Sequence, residues 1–236
     1  MCALPKPSRP EYSTTIPSTG KKIKYQPFTV KEEKVLVLAA ESENLDEISN
    51  AISNVLSNCV TSPADFDPEK LALFDIEYLF LKARAKSVGE SLKLLVTDPN
   101  DQSYTVEHEV NIDSIKVKRF EGHETLVKLD EKTAIQMQYP GLSFFSEGVK
   151  IDTLADSSNT VARCVASLVI DEEVYAAADL TRDELVEWLD ALTAEQYAKL
   201  MEFFTTMPRL SHTIKLKNKK TGEPFEILLE GLADFF

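Results

Sequence analysis

The chain has little of what reactive chemistry or export requires. It holds only 7 glycines in 236 residues, too few for loops that must press their backbone against a cofactor. Its 3 cysteines, Cys2, Cys59 and Cys164, are odd in number and widely spaced. Neither a disulfide framework nor a thiolate zinc site is encoded, and a reducing compartment is expected. No apolar run approaches the roughly 18 to 20 residues that span a bilayer, and "MCALPKPSRPEYS" holds no stretch of signal-peptide length. A soluble, unexported protein with no membrane partner is expected. Positive charge is scarce too: 26 Lys and Arg stand against 39 Asp and Glu, a net charge of 13 negative. That balance opposes nucleic acid as a partner, because attraction to phosphate rests on cations displacing counterions. The acid is spread along stretches such as "ESENLDEISN" and "DLTRDELVEWLD", the pattern of solvated helix faces.

Catalytic and phosphate motifs are missing as well. "PSTGKKIKYQPFTVKEEK", Pro17 to Lys34, places lysines after a glycine, but a phosphate loop needs a second glycine five residues upstream and a Ser or Thr after the lysine. Thr15 and Lys22 occupy those places, so the stretch reads as a tight turn between two strands. His108-Glu109 and His123-Glu124 open like the zinc-protease helix motif, yet Ile112 and Val127 stand where the second histidine belongs. No serine has the flanking glycines of a nucleophile elbow. Cys59 and Cys164 lie on apolar helix faces as small buried hydrophobes. No catalytic residue, metal ligand or cofactor site is assigned.

What the sequence does contain is alternating helix and strand signal. Tyr12–Ile16 and Lys22–Gln26 read as a hairpin, and Thr29 with Glu32 as a capping box at a helix start. From Leu45, the positions Leu45, Ile48, Ile52, Val55 and Cys59 step by three and four along one helix face. Asp67 before Pro68 is expected to open a helix, "LALFDIEYLFLKARAK", that is apolar around most of its circumference and therefore central. "SLKLLVT" and "SYTVEHEVNI" are strands joined by "DPNDQ". "SIKVKRF", "TLVKLD" and "AIQMQYP" continue the β character. Val161–Val169 is expected to be helical, and Ile170–Tyr175 is ambiguous. Thr181 with Glu184 and Thr193 with Gln196 each pair a capping box with an apolar staple. A strand, turn and strand close the chain, so that a helix followed by a hairpin occurs twice, without shared identities. The expected fold is α+β: helices with short antiparallel hairpins, compact, with room for two lobes meeting near residues 140 to 155. The expected segments are 1–27, an N-terminal arm and hairpin; 28–145, helices plus central antiparallel strands; and 146–236, a helical segment ending in a hairpin.

Three long strings carry a family likeness. "LPKPSRPEYSTTIPSTGKKIKYQPFTVKEEKVLVLA", "FDIEYLFLKARAKSVGE" and "MPRLSHTIKLKNKKTGEPFEILLEGLADFF", from the start, middle and end of the chain, resemble the baseplate hub subunit and hub-assembly family of T-even-like contractile-tailed bacteriophages. The resemblance implies a viral protein made in the host bacterial cytoplasm. It would act without catalysis or cofactor in building the central hub of the tail baseplate, as a subunit or as an assembly chaperone not kept in the particle. Its partners would be other baseplate hub or tail proteins. Some members of that family carry paired cysteines at the two hairpin turns, suggestive of zinc knuckles. Here the turns read "TDPNDQ" and "NKKTGE", so packing and backbone hydrogen bonds alone are expected to hold them.

An assembly protein recognises its partner over an area rather than through a pocket. Leu232, Phe235 and Phe236 are the candidate partner-binding anchors, set against the alternative that the two phenylalanines fold into the core. Phe203 and Phe204 are the other aromatic pair. Two rival readings stand beside docking. One is a small hydrolase or transferase whose site forms only in three dimensions, in a polar pocket near His108 or His123. The other is a structural virion protein present in many copies.

Overall fold

In a computed structural model the described residues are 7–149 and 158–231. They divide into two units: the chain up to Lys118 together with the chain from Arg209, and the stretch Arg119–Pro208.

The first unit opens with the expected hairpin, β1 (Tyr12–Thr15) and β2 (Lys22–Tyr25), with Tyr12 opposite Tyr25. Helix α1 (Val30–Glu41) starts where the capping box places it: the Thr29 N–H donates to the Glu32 carboxylate at 2.5 Å. Helix α2 (Leu45–Cys59) is capped by Asn44, which accepts from the Asp46 N–H at 2.9 Å. Its stripe Ile52, Val55 and Cys59 is buried, as three-four spacing requires. Strand β3 (Val60–Ser62) follows directly and pairs with β2. Asp67 and Pro68 then open only a single 3-10 turn, Pro68–Lys70. The long helix, α3 (Leu73–Ser87), begins later, because Leu71 and Ala72 are extended. The expected helix start is thus five residues too early. The cap itself works, since Asp67 accepts from the Glu69 N–H at 3.1 Å. Helix α3 is central as expected, and its buried residues include Asp75 and Glu77 beside Ile76, Phe80 and Leu81. Asp75 receives the Ser18 N–H at 2.8 Å and the Ser18 hydroxyl at 2.5 Å, which pins the β1–β2 turn to the helix. Next come the long ribbon β4 (Ser91–Asp98) with β5 (Asp101–Asn111), and the short β6 (Lys116–Lys118).

The second unit is built on an antiparallel sheet of β7 (Leu126–Lys128), β8 (Thr133–Met137), β9 (Val165–Ile170) and β10 (Glu173–Ala176), in the order β10-β9-β8-β7. The short helices α4 (Leu142–Ser146) and α5 (Ser158–Ala162) lie between β8 and β9 in the chain. The helix expected over Val161–Val169 is a correction: α5 ends at Ala162, and a strand takes the rest. An apolar run this short satisfies both periods. The β-branched Val165, Val169 and Ile170 suit the pleated surface, where Leu168 meets Ile135. Helices α6 (Arg182–Asp190) and α7 (Ala194–Thr206) carry the two expected capping boxes. Thr181 N–H donates to Glu184 at 2.7 Å, and Thr193 N–H to Gln196 at 3.0 Å. The core gathers Ile135, Val165, Leu168, Leu189, Leu200 and Phe203.

Strands β11 (Arg209–Lys217) and β12 (Pro224–Glu230) return to the first unit. They pair with each other, and β11 also pairs with β6, Arg209 opposite Lys118 and Leu210 opposite Val117. A core of Leu81, Leu92, Val96, Ile112, Leu210 and Ile214 joins α3 to these strands and to the β4–β5 ribbon. The two hairpin turns are not held by packing and backbone alone, which corrects the expectation. Asn218, fully buried, donates to Asp98 at 2.8 Å and to Asp101 at 3.3 Å, while its carbonyl accepts the Lys220 N–H at 2.8 Å. The Lys220 ammonium reaches the Ser103 carbonyl at 3.1 Å.

The expected α+β fold, a compact assembly of helices with short antiparallel hairpins, is overturned. The twelve strands of the described residues lie in four antiparallel sheets, and three of these recruit strands from beyond a hairpin: β3 onto β2, β9 onto β8, and β6 onto β11. The reason is physical. Hairpin turns carry local chemistry, whereas a third strand is chosen by core packing between distant segments.

Two outcomes follow. Asn218→Ala removes the side chain that joins the turns and takes the donor from one oxygen of the buried Asp98 carboxylate, whose other oxygen keeps the Asn100 N–H, so urea unfolding should show a loss of about 2 to 3 kcal/mol. The β9–β10 turn holds Asp171 at φ 50° and Glu172 at φ 70°, where non-glycine residues are disfavoured. Glu172→Gly should therefore raise stability by roughly 1 kcal/mol, read as a higher denaturation midpoint.

Candidate functional site

The residues singled out from the sequence are placed as follows. Leu232, Phe235 and Phe236 lie outside the described residues. Phe203 and Phe204 are buried in the second core, with rings edge to face at a centroid distance of 5.1 Å. His108 sits on β5 opposite Leu94, and His212 on β11 opposite Leu229. Burial lowers the His212 pKa, with smaller contributions from His108 and Lys118. His123 belongs to the other unit.

Of the histidines, His123 makes the most side-chain contacts. Its ring stacks on Tyr139 at 5.7 Å and lies against Phe203 at 5.2 Å. One nitrogen bonds the Thr206 hydroxyl at 2.9 Å, and the other the Tyr139 hydroxyl at 3.0 Å. Both nitrogens are engaged by hydroxyls and no carboxylate orients the ring, so this is the geometry of a packed structural histidine rather than of a general base. Burial lowers its pKa from 6.5. The buried thiols Cys59 and Cys164 are pushed up to about 12 by loss of solvent, which keeps them protonated and poor as nucleophiles. Among the described residues, no group of three or more His, Cys, Asp or Glu side chains is arranged to hold a metal.

Two concavities among the described residues bear on function. In the second unit, a polar one includes Gln138, Arg163 and Arg182. Its arginines are engaged: Arg163 pairs with Glu147 and lies over the Phe144 ring at 4.0 Å, and Arg182 donates to the Asn159 carbonyl at 3.0 Å. In the first unit, a cavity of about 430 Å³ lies between α1 and α3, lined by Phe28, Leu36, Val37, Phe80, Arg84 and Val88. This cavity is mostly apolar and continues onto exposed apolar surface. Val30 is 65% exposed, Val37 51% and Val88 55%. Val30 and Val37, seven residues apart, share one stripe of α1. The sequence signal was there in α1, where "VLVLAA" supplies more apolar residues than one buried face can use.

The pH dependence of stability tests the structural assignment of His123. A histidine with a lowered folded pKa contributes stability above the unfolded value of 6.5 and loses it as pH falls. The His123 ring should titrate below 6.5 by NMR, and His123→Gln should lose less stability than the parent as pH is lowered from neutrality toward 5.

No helix of the described residues is long and apolar enough to cross a membrane. No curated protein and no solved structure matches the chain. The family model described as T4 bacteriophage base plate protein matches residues 9–236, a span that runs through both units and contains every element described above. The chain therefore belongs to the T4 bacteriophage base plate protein family.

Proposed function

We propose that this phage baseplate protein acts without catalysis in building the central hub of the baseplate, as a hub subunit or as an assembly chaperone, by docking onto other hub or tail proteins. The observation that carries the reading is the family match across residues 9–236. Two features support it. The net charge of 13 negative keeps a chain with exposed apolar surface soluble before its partners are present. The apolar stripe of α1 offers contact area of the sort partners bury. Leu232, Phe235 and Phe236 are proposed as further anchors, aromatic and aliphatic residues of the kind that dominate interface energetics. Synthesis in the host cytoplasm, before or without incorporation into the tail, belongs to the same reading.

Disruption of the gene should abolish assembled hubs, and the tagged chain should co-purify with hub proteins from infected cells. Normal tails in its absence would end the proposal. Quantitative mass spectrometry of purified particles separates the roles. A chaperone is missing from them, a hub subunit is present in a few copies, and a general structural protein is present in many.

A further inference from the structure

The α1–α3 cavity contains a charge that packing does not explain. Arg84 is half-buried among Phe28, Leu36, Phe80 and Val88, and no hydrogen bond or ion pair reaches its guanidinium among the described residues. Loss of solvent is the cause that lowers its pKa, with no neighbouring carboxylate raising it. Other half-buried cations of this unit behave differently. Lys82 pairs with Asp113 at 2.5 Å and Lys86 with Glu90. A cation held in apolar surroundings without a partner is costly, and it is the group that gains most when a carboxylate arrives in a closed interface.

The walls state the rest of the requirement. Val37 on α1 and Val88 just past α3 are exposed apolar side chains flanking the cavity. Glu33 and Glu41, each one turn from Val37 on α1, also line it, and neither approaches Arg84 closely enough to pair. We infer that this cavity is the docking groove for an amphipathic helix of another baseplate protein, whose apolar stripe packs between Val37 and Val88 and whose central Asp or Glu pairs with Arg84. Basic residues toward the ends of that helix would meet Glu33 and Glu41. This is the helix-in-groove mode of recognition, in which apolar anchors give affinity and one charged pair sets the register. The inference deepens the docking function proposed above and rests on it.

A charge-swap selection in the phage tests it. Arg84→Glu is introduced into the phage gene, and the purified variant is checked by circular dichroism and cooperative unfolding. If that variant misfolds, Val37→Asp, at a half-exposed position, replaces it. The expected result is a folded variant that no longer supports plaque formation, with revertants in which an Asp or Glu of another baseplate protein has become Lys or Arg. For Val37→Asp the expected revertants instead change an apolar residue of the same partner helix. Ordinary plaque yield from the folded variant overturns the groove while leaving hub assembly intact, whereas dispensability of the whole gene removes the parent reading. Compensating changes confined to this chain would also overturn it. A change at Asp234 would mean that the occupant is the segment 232–236, and self-association abolished by Val37→Asp in sedimentation would mean that it is a second copy.

Discussion

The pairing of β11 with β6 is the constraint on which the first unit depends. Arg209 stands opposite Lys118, so ninety residues leave and rejoin the unit at neighbouring positions of one sheet. The ladder sets Leu210 and Ile214 into the core beside Leu81, Leu92 and Ile112. Without it, β11 and β12 would be a two-stranded ribbon held to the unit by side-chain packing alone, and two-stranded hairpins are marginal in water without such packing. The closing entropy of so long a connection rises only slowly with its length, and the stretch has its own core of Ile135, Leu168, Leu200 and Phe203 to order it. The arrangement is that of one folding unit inserted between two strands of another.

Local features of this fold were written plainly in the sequence. The three capping boxes at Thr29, Thr181 and Thr193 mark helix starts because side-chain and backbone groups satisfy one another within four residues. The stripe of α2 and the β4–β5 ribbon were legible for the same reason: their periods repeat over many residues. The failures are non-local. At Asp67-Pro68 the cap is real but serves one turn, since Leu71 and Ala72 are drawn out to set Leu73 and Phe74 into the interior. At Val165–Ile170, pairing with β8 decided between two periods that the run satisfied equally. The recruitment of β3, β6 and β9 into larger sheets left no mark in any short window. The α1–α3 cavity was half legible: apolar density along α1 was visible, but its joint lining by Val37 and Arg84 depends on how α1 and α3 pack.

Under the docking role proposed above, acidity and apolar exposure serve one requirement. A protein that waits for partners must present the surface they will cover, and must meanwhile resist binding copies of itself. Charge of one sign, spread over helix faces such as the first turn of α2 with Asp46 and Glu47, supplies repulsion at long range. On the exposed face of the β11–β12 pair, Lys215 and Glu226 stand opposite each other and pair at 2.8 Å, which covers that face with charge.

The β1–β2 turn, with its glycine and lysines, shows how an apparent binding loop is closed to ligands from within. Ser18 offers both its N–H and its hydroxyl, the two kinds of donor an incoming phosphoryl oxygen would seek, and both already point at Asp75 on the central helix. The buried acid thus occupies the seat of the anion. What looks like a nucleotide cradle is a clasp that carries its own counterpart, and its strength is set by the chain rather than by the metabolite pool of the cell.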